Sequence, residues 1–183
     1  YLYPAYTHLD ARTVPATNGE IAAPAGTEVR LKTRADRDLA RAELAAGGGA
    51  IPLAVDGRNL AGAITVAAPG GYHFRFYDAR GHLLVEGPAI PIAVEKDATP
   101  HVTLAAPPPE PEVEAKEPVV LRWEAEDDYG FSEITLVWKL PGAAQPSRIA
   151  LGGASASKRA RGEHSWDVGG LGLTPGDRIA YYI

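Results

Sequence analysis

Segments of the first half of this chain return in the same order in the second half, and that repetition limits the fold more than any other feature of the sequence. Tyr3-Pro4-Ala5-Tyr6-Thr7-His8-Leu9 resembles Thr99-Pro100-His101-Val102-Thr103-Leu104, each a proline followed by an extended segment. Val29-Arg30-Leu31-Lys32-Thr33-Arg34-Ala35-Asp36 resembles Val119-Val120-Leu121-Arg122-Trp123-Glu124-Ala125-Glu126. Asp38-Leu39-Ala40-Arg41-Ala42-Glu43-Leu44 parallels residues 128–136, and Pro69-Gly70-Gly71-Tyr72-His73-Phe74-Arg75-Phe76-Tyr77 parallels residues 175–183. The second and fourth pieces alternate apolar and polar residues, the period of a half-buried strand. The third is an acidic turn leading into the next strand. Residues 35–46 have a helical composition, but the repeat assigns them to a loop leading into a strand.

A chain of 183 residues has room for two sandwiches of roughly 100 residues each. Hydrophobic residues at 45% and charged residues at 22% are a balance that can bury a core in both. The expected fold is all-β: two consecutive immunoglobulin-like or fibronectin III-like β-sandwiches over residues 1–95 and 101–183, with residues 96–100 as linker. Leu31, Ile92, Leu121, Trp123, Leu136 and Trp138 are the expected core. In the first copy, β segments continue through a turn at Asp78-Ala79-Arg80-Gly81 to Val94, whereas the second copy stops at Ile183. The second sandwich is therefore expected to lack its last strand and to offer an open edge for association at the C-terminal end. With no methionine, the span is expected to be a fragment of a longer protein.

Several functions are disfavoured. A net charge of −5 gives no electrostatic footprint for nucleic acid. Without cysteine there is no disulfide, thiolate zinc site or thiol nucleophile. No apolar run of membrane-spanning length occurs, so direct membrane insertion by this segment is not expected. The five histidines lie at positions 8, 73, 82, 101 and 164 without metalloprotease spacing, and there is no nucleophile elbow, phosphate loop or dinucleotide fingerprint. No catalytic residue, cofactor-binding residue or cofactor is assigned.

The strongest local motif is Glu126-Asp127-Asp128-Tyr129-Gly130. Adjacent carboxylates beside a glycine turn can supply oxygen ligands to calcium, with Asp97 from the linker as a third contributor. The competing reading has Asp128 accepting from the backbone donors of the turn while Asp127 faces water; it is preferred, and no metal site is assigned. Tyr72 and Asp177 follow Pro-Gly turns that resemble the corner before a late strand in such sandwiches, where a tyrosine bonds back to the corner backbone. Trp123 and Trp138 fall on the inward phase of their strands; Trp166 is the least constrained and is a candidate ligand contact. Lys158-Arg159-Ala160-Arg161 reads as an exposed loop tip, and Pro107-Pro108-Pro109-Glu110-Pro111-Glu112 as a stiff exposed connection.

Taken together, Tyr3-Pro4-Ala5-Tyr6-Thr7, Ala23-Pro24-Ala25-Gly26-Thr27-Glu28-Val29, the Asp97-x-x-Pro100 linker and Ala125-Glu126-Asp127-Asp128-Tyr129-Gly130 resemble a family of large, uncharacterised bacterial membrane-anchored proteins. These carry tandem immunoglobulin-like repeats after N-terminal transmembrane helices. The resemblance implies a periplasmic or extracytoplasmic location and transfers no active site. The function expected is a non-catalytic structural or protein-interaction module with an envelope protein or glycan as partner. The alternatives are a carbohydrate- or peptidoglycan-binding module, which needs exposed coplanar aromatics, and a hydrolase built from Asp127, Asp128 and a distant histidine.

Overall fold

The computed structural model describes residues 1–15, 17–114 and 117–183. Within it the chain divides into two compact units, Tyr1–Lys96 and Asp97–Ile183. Apart from two single-turn 3-10 segments, the regular structure of both is β-strand.

The first unit contains β1 (Ile21–Pro24), β2 (Glu28–Arg34), β3 (Arg41–Ala46), β4 (Gly49–Pro52), β5 (Ala54–Asp56), β6 (Asn59–Thr65), β7 (Gly70–Tyr77), β8 (Leu83–Glu86) and β9 (Ile90–Glu95). One sheet runs β2-β6-β5; the other runs β1-β9-β7-β3-β4, with β8 also pairing β7. β1 lies parallel to β9, and the remaining pairs are antiparallel. The two sheets share one core: Val29, Leu60 and Ile64 from the first meet Ala42, Leu44, Tyr72 and Ile92 from the second. Residues 41–46, helical by composition, form a strand because hydrogen-bonded partners lie on both sides of it and a tight hairpin follows. Gly47 and Gly48 both have positive φ (56° and 81°), which a two-residue turn of this hand requires and which glycine adopts without steric cost.

The second unit contains β10 (His101–Ala106), β11 (Val119–Glu126), β12 (Ile134–Lys139), β13 (Ser147–Gly152), β14 (Arg159–Trp166) and β15 (Ala180–Tyr182). Its sheets run β10-β11-β14 and β13-β12-β15. In β11 every second residue, Val119, Leu121, Trp123 and Ala125, is buried. Val119 and Leu121 pack with Trp166 of β14 against Leu136 and Trp138 of β12, while Trp123 and Ala125 pack with Phe131 and Ile134. Each unit is thus a β-sandwich of immunoglobulin-like or fibronectin III-like type.

The repeated segments take equivalent places. β2 lies between β6 and a single bridge from Leu2 to Glu28, as β11 lies between β14 and β10. β3 lies between β7 and β4, as β12 lies between β15 and β13. The first piece differs: residues 101–106 form a strand, but Ala5–Thr7 is a 3-10 turn, closed by hydrogen bonds from the Thr7 N–H (3.1 Å) and hydroxyl (2.8 Å) to the Pro4 carbonyl. β7 pairs with β8 and β9 on the side away from β3, whereas its counterpart β15 pairs only with β12 among the described residues. Two further expectations are corrected. Leu31 is only half-buried, flanking the core rather than filling it. Residues 159–161 belong to β14, where the Arg159 and Arg161 side chains stay exposed.

Candidate functional site

The acidic turn after β11 is where the sequence places its strongest motif, and the structure engages each carboxylate. Glu126 pairs with Arg159 at 2.9 Å across the β11–β14 register. Asp127 Oδ2 accepts the Tyr129 N–H at 2.9 Å, and the Asp127 N–H donates to the Lys158 carbonyl at 3.0 Å. Asp128 Oδ2 accepts the Ala98 N–H at 3.1 Å. Asp127, expected to face water, therefore closes the turn, and Asp128 accepts a backbone donor as expected, but from the segment leading into β10 rather than from the turn. Gly130 (φ 94°) completes the turn with its backbone pressed so closely on the Ser155 carbonyl that a Cβ there would collide with it.

Among the described residues no group of three or more His, Cys, Asp or Glu side chains is arranged to hold a metal ion. Asp128 Oδ1 is nevertheless shielded from solvent without a hydrogen-bond partner, which makes a calcium titration worthwhile. Millimolar calcium is expected to leave the melting temperature unchanged. A rise that Asp127→Asn with Asp128→Asn abolishes would instead establish a metal site here.

Tyr72 is buried at the start of β7, and its hydroxyl donates to the Gly19 carbonyl at 2.7 Å. It reaches the segment before β1 rather than the corner beside it, so its role is structural but its partner is not the expected one. Burial pushes its pKa up. In the second unit Asp177 closes the equivalent corner by accepting the Thr174 N–H at 2.8 Å and hydroxyl at 3.0 Å; these bonds hold its carboxyl below the usual aspartate range. Trp166, a candidate ligand contact from sequence, is buried in the core with its ring 5.4 Å from those of both Trp138 and Tyr181.

Two surface features were not singled out from sequence. The first is a charged lattice on the outward face of β3, β7 and β8. Arg41 pairs with Glu43 at 3.3 Å and stacks 3.9 Å over the Tyr77 ring, while the Tyr77 hydroxyl donates to Glu43. Arg75 pairs with Glu86 at 3.2 Å, and His73 Nε2 lies 2.6 Å from the same oxygen, outside hydrogen-bond geometry. Partly exposed pairs of this kind contribute at most about 1 kcal/mol each; their effect is to hold three strands in register. The alternation of His73, Arg75 and Tyr77 along β7 was the available signal.

The turn between β7 and β8 is closed by a carboxylate. Asp78 Oδ1 accepts the Arg80 and His82 N–H groups at 2.8 and 2.9 Å, and its Oδ2 lies 3.2 Å from His82 Nδ1. The His82 N–H, above all, holds the carboxyl below the usual aspartate range; burial opposes this and the Arg80 N–H reinforces it. A depressed folded-state pKa contributes stability above the unfolded value and loses it as pH falls through the folded one. Amide exchange at Arg80 and His82 is therefore expected to accelerate, beyond the intrinsic pH effect, as pH drops below about 4. Asp78→Asn should weaken that pH dependence.

The second feature is an open cleft of about 410 Å³ in the first unit, lined in part by Tyr1, Tyr3, Arg12, Glu20, Ala22 and Glu95. The Tyr1 and Tyr3 rings stack at 21° with centroids 6.1 Å apart.

Comparison with known proteins adds little to this geometry. No protein-family model matches the chain, and no curated protein does. Among solved structures, the fibronectin(III)-like modules of Clostridium thermocellum CbhA are similar at 18% identity, with a TM-score of 0.33, over 84% of this chain and 77% of that one.

Proposed function

We propose that this chain is a non-catalytic structural or protein-interaction module of a larger bacterial envelope protein, held on the periplasmic or extracytoplasmic side by a membrane-anchored parent. The observation that carries the reading is the fate of the acidic turn. Its carboxylates, the best catalytic candidates in the sequence, are engaged by Arg159, the Tyr129 N–H and the Ala98 N–H, so they serve the fold. The envelope location rests on the family resemblance of the turn and linker motifs. Among the described residues no helix is long and apolar enough to cross a membrane; in this reading the anchor belongs to another part of the parent.

The purified chain is expected to turn over ester, phosphate and glycoside substrates no faster than the uncatalysed rate. Turnover that disappears in Asp127→Asn or Asp128→Asn would contradict the proposal and favour a hydrolase.

A further inference from the structure

The cleft in the first unit has a floor, a wall and a rim of different chemistry. Its floor is the outward side of the parallel β1–β9 pair, where Ala22 and Ala93 are register partners and Pro91 is next along. Small side chains there leave a shallow apolar depression. The stacked rings of Tyr1 and Tyr3 form a wall beside it. Arg12, Asn18, Glu20 and Glu95 bring a cation, an amide and two carboxylates to the rim.

These parts are fixed in place without a ligand. The Arg12 N–H donates to the Tyr1 carbonyl at 3.0 Å. Opposite, Thr17 Oγ1 accepts the Gly19 N–H and Asn18 Oδ1 accepts the Glu20 N–H, both at 3.1 Å. The bond from the buried Tyr72 hydroxyl to Gly19 ties that loop to the core. The Asn18 bond uses only the carbonyl end of the amide, leaving its NH2 group to donate.

We propose that this cleft binds an uncharged saccharide chain, whose apolar C–H faces pack on the tyrosine wall and the alanine and proline floor while its hydroxyls bond to the rim. Pyranose rings carry both surfaces at once, and each hydroxyl donates and accepts, which suits a rim offering donors and acceptors side by side. A lining that mixes cationic groups with carboxylates does not favour a strongly charged ligand of either sign. The volume lies within the roughly 300–1,000 Å³ of small-ligand clefts, enough for a short stretch of such a chain. The inference goes beyond spacing and protein interaction: it gives the module a ligand class and a site.

The test uses the full 183-residue chain with chitotetraose and cellotetraose as probes, followed by amide chemical shifts. At least one probe is expected to shift Arg12, Asn18, Ala22 and Ala93 in a saturable way by about 10 mM, the weak affinity usual for a shallow site. Two variants serve as controls: Tyr3→Ala removes part of the wall, and Ala22→Phe fills the floor from an exposed strand position that tolerates an aromatic. Each is expected to weaken binding at least tenfold while leaving amide signals outside the cleft in place. No saturable shift with either probe overturns the proposal, as does an affinity that Ala22→Phe leaves unchanged.

Discussion

Replacing Trp138 with alanine is expected to lower the stability of residues 97–183 by about 3–5 kcal/mol, the range for removing a large aromatic from a packed core. Trp138 is 7% exposed and is the central ring of the second unit, 5.4 Å from Trp166 and sharing a cluster with Leu121 and Leu136. Its removal leaves a cavity between β11 and β12 that shorter neighbours cannot refill. The indole Nε1 is buried without an acceptor, so the polar end of this side chain contributes nothing and the loss is one of packing. Trp138→Phe, which keeps most of the ring and discards the unpaired N–H, should therefore retain the larger part of the stability. Urea unfolding followed by the remaining tryptophans separates these outcomes. A loss under about 1 kcal/mol for the alanine variant would mean that the ring does not fill the core.

In the first unit the corresponding experiment is Leu44→Ala, with an expected loss of about 2–5 kcal/mol. Leu44 is fully buried in β3, whose neighbours β7 and β4 bracket it in register with Phe74 and Ile51. The opposing sheet contributes Val29, Leu60 and Ile64 to the same core. Cavity formation at a central strand is poorly relieved because partners on both sides hold its backbone. Circular dichroism of the unfolding transition should show the loss, and a nearly unchanged midpoint would contradict this packing.

Much of the fold is legible in the residues because period-two alternation is explicit where both faces of a strand differ. In β11 the inward residues are Val119, Leu121, Trp123 and Ala125, and the outward ones are mostly charged. β14 hides the same geometry. Its inward positions before Trp166 are Ala160, Gly162 and His164, so no apolar rhythm announces the strand. Gly162 stands opposite Trp123, whose indole lies so close that a Cβ would clash with it. Trp166 looked unconstrained for this reason. The opening segment failed differently: its proline and alternating pattern suggested a strand, but Thr7 folds back on the Pro4 carbonyl and only Leu2 is left to bridge β2.

The candidate site was less legible, because it depends on contacts that local sequence does not encode. Glu126-Asp127-Asp128 announced a turn, but which carboxylate closes it and which reaches Ala98 is decided by the path of the chain into β10. The cleft sets Tyr1 and Arg12, joined by the Arg12 N–H to the Tyr1 carbonyl, beside Glu95, which the parallel β1–β9 pairing brings from the far end of the unit's sequence. No local motif carries that pairing.

The central claim is that the repeat encodes two sandwiches with separate cores, and amide hydrogen exchange on the whole chain tests it most directly. Leu44→Ala is expected to reduce protection in β2, β3, β6 and β7 while leaving β11, β12 and β14 as they were, and Trp138→Ala is expected to do the reverse. Loss of protection across both sets of strands from either single substitution would mean that one core spans the chain, and would contradict the account.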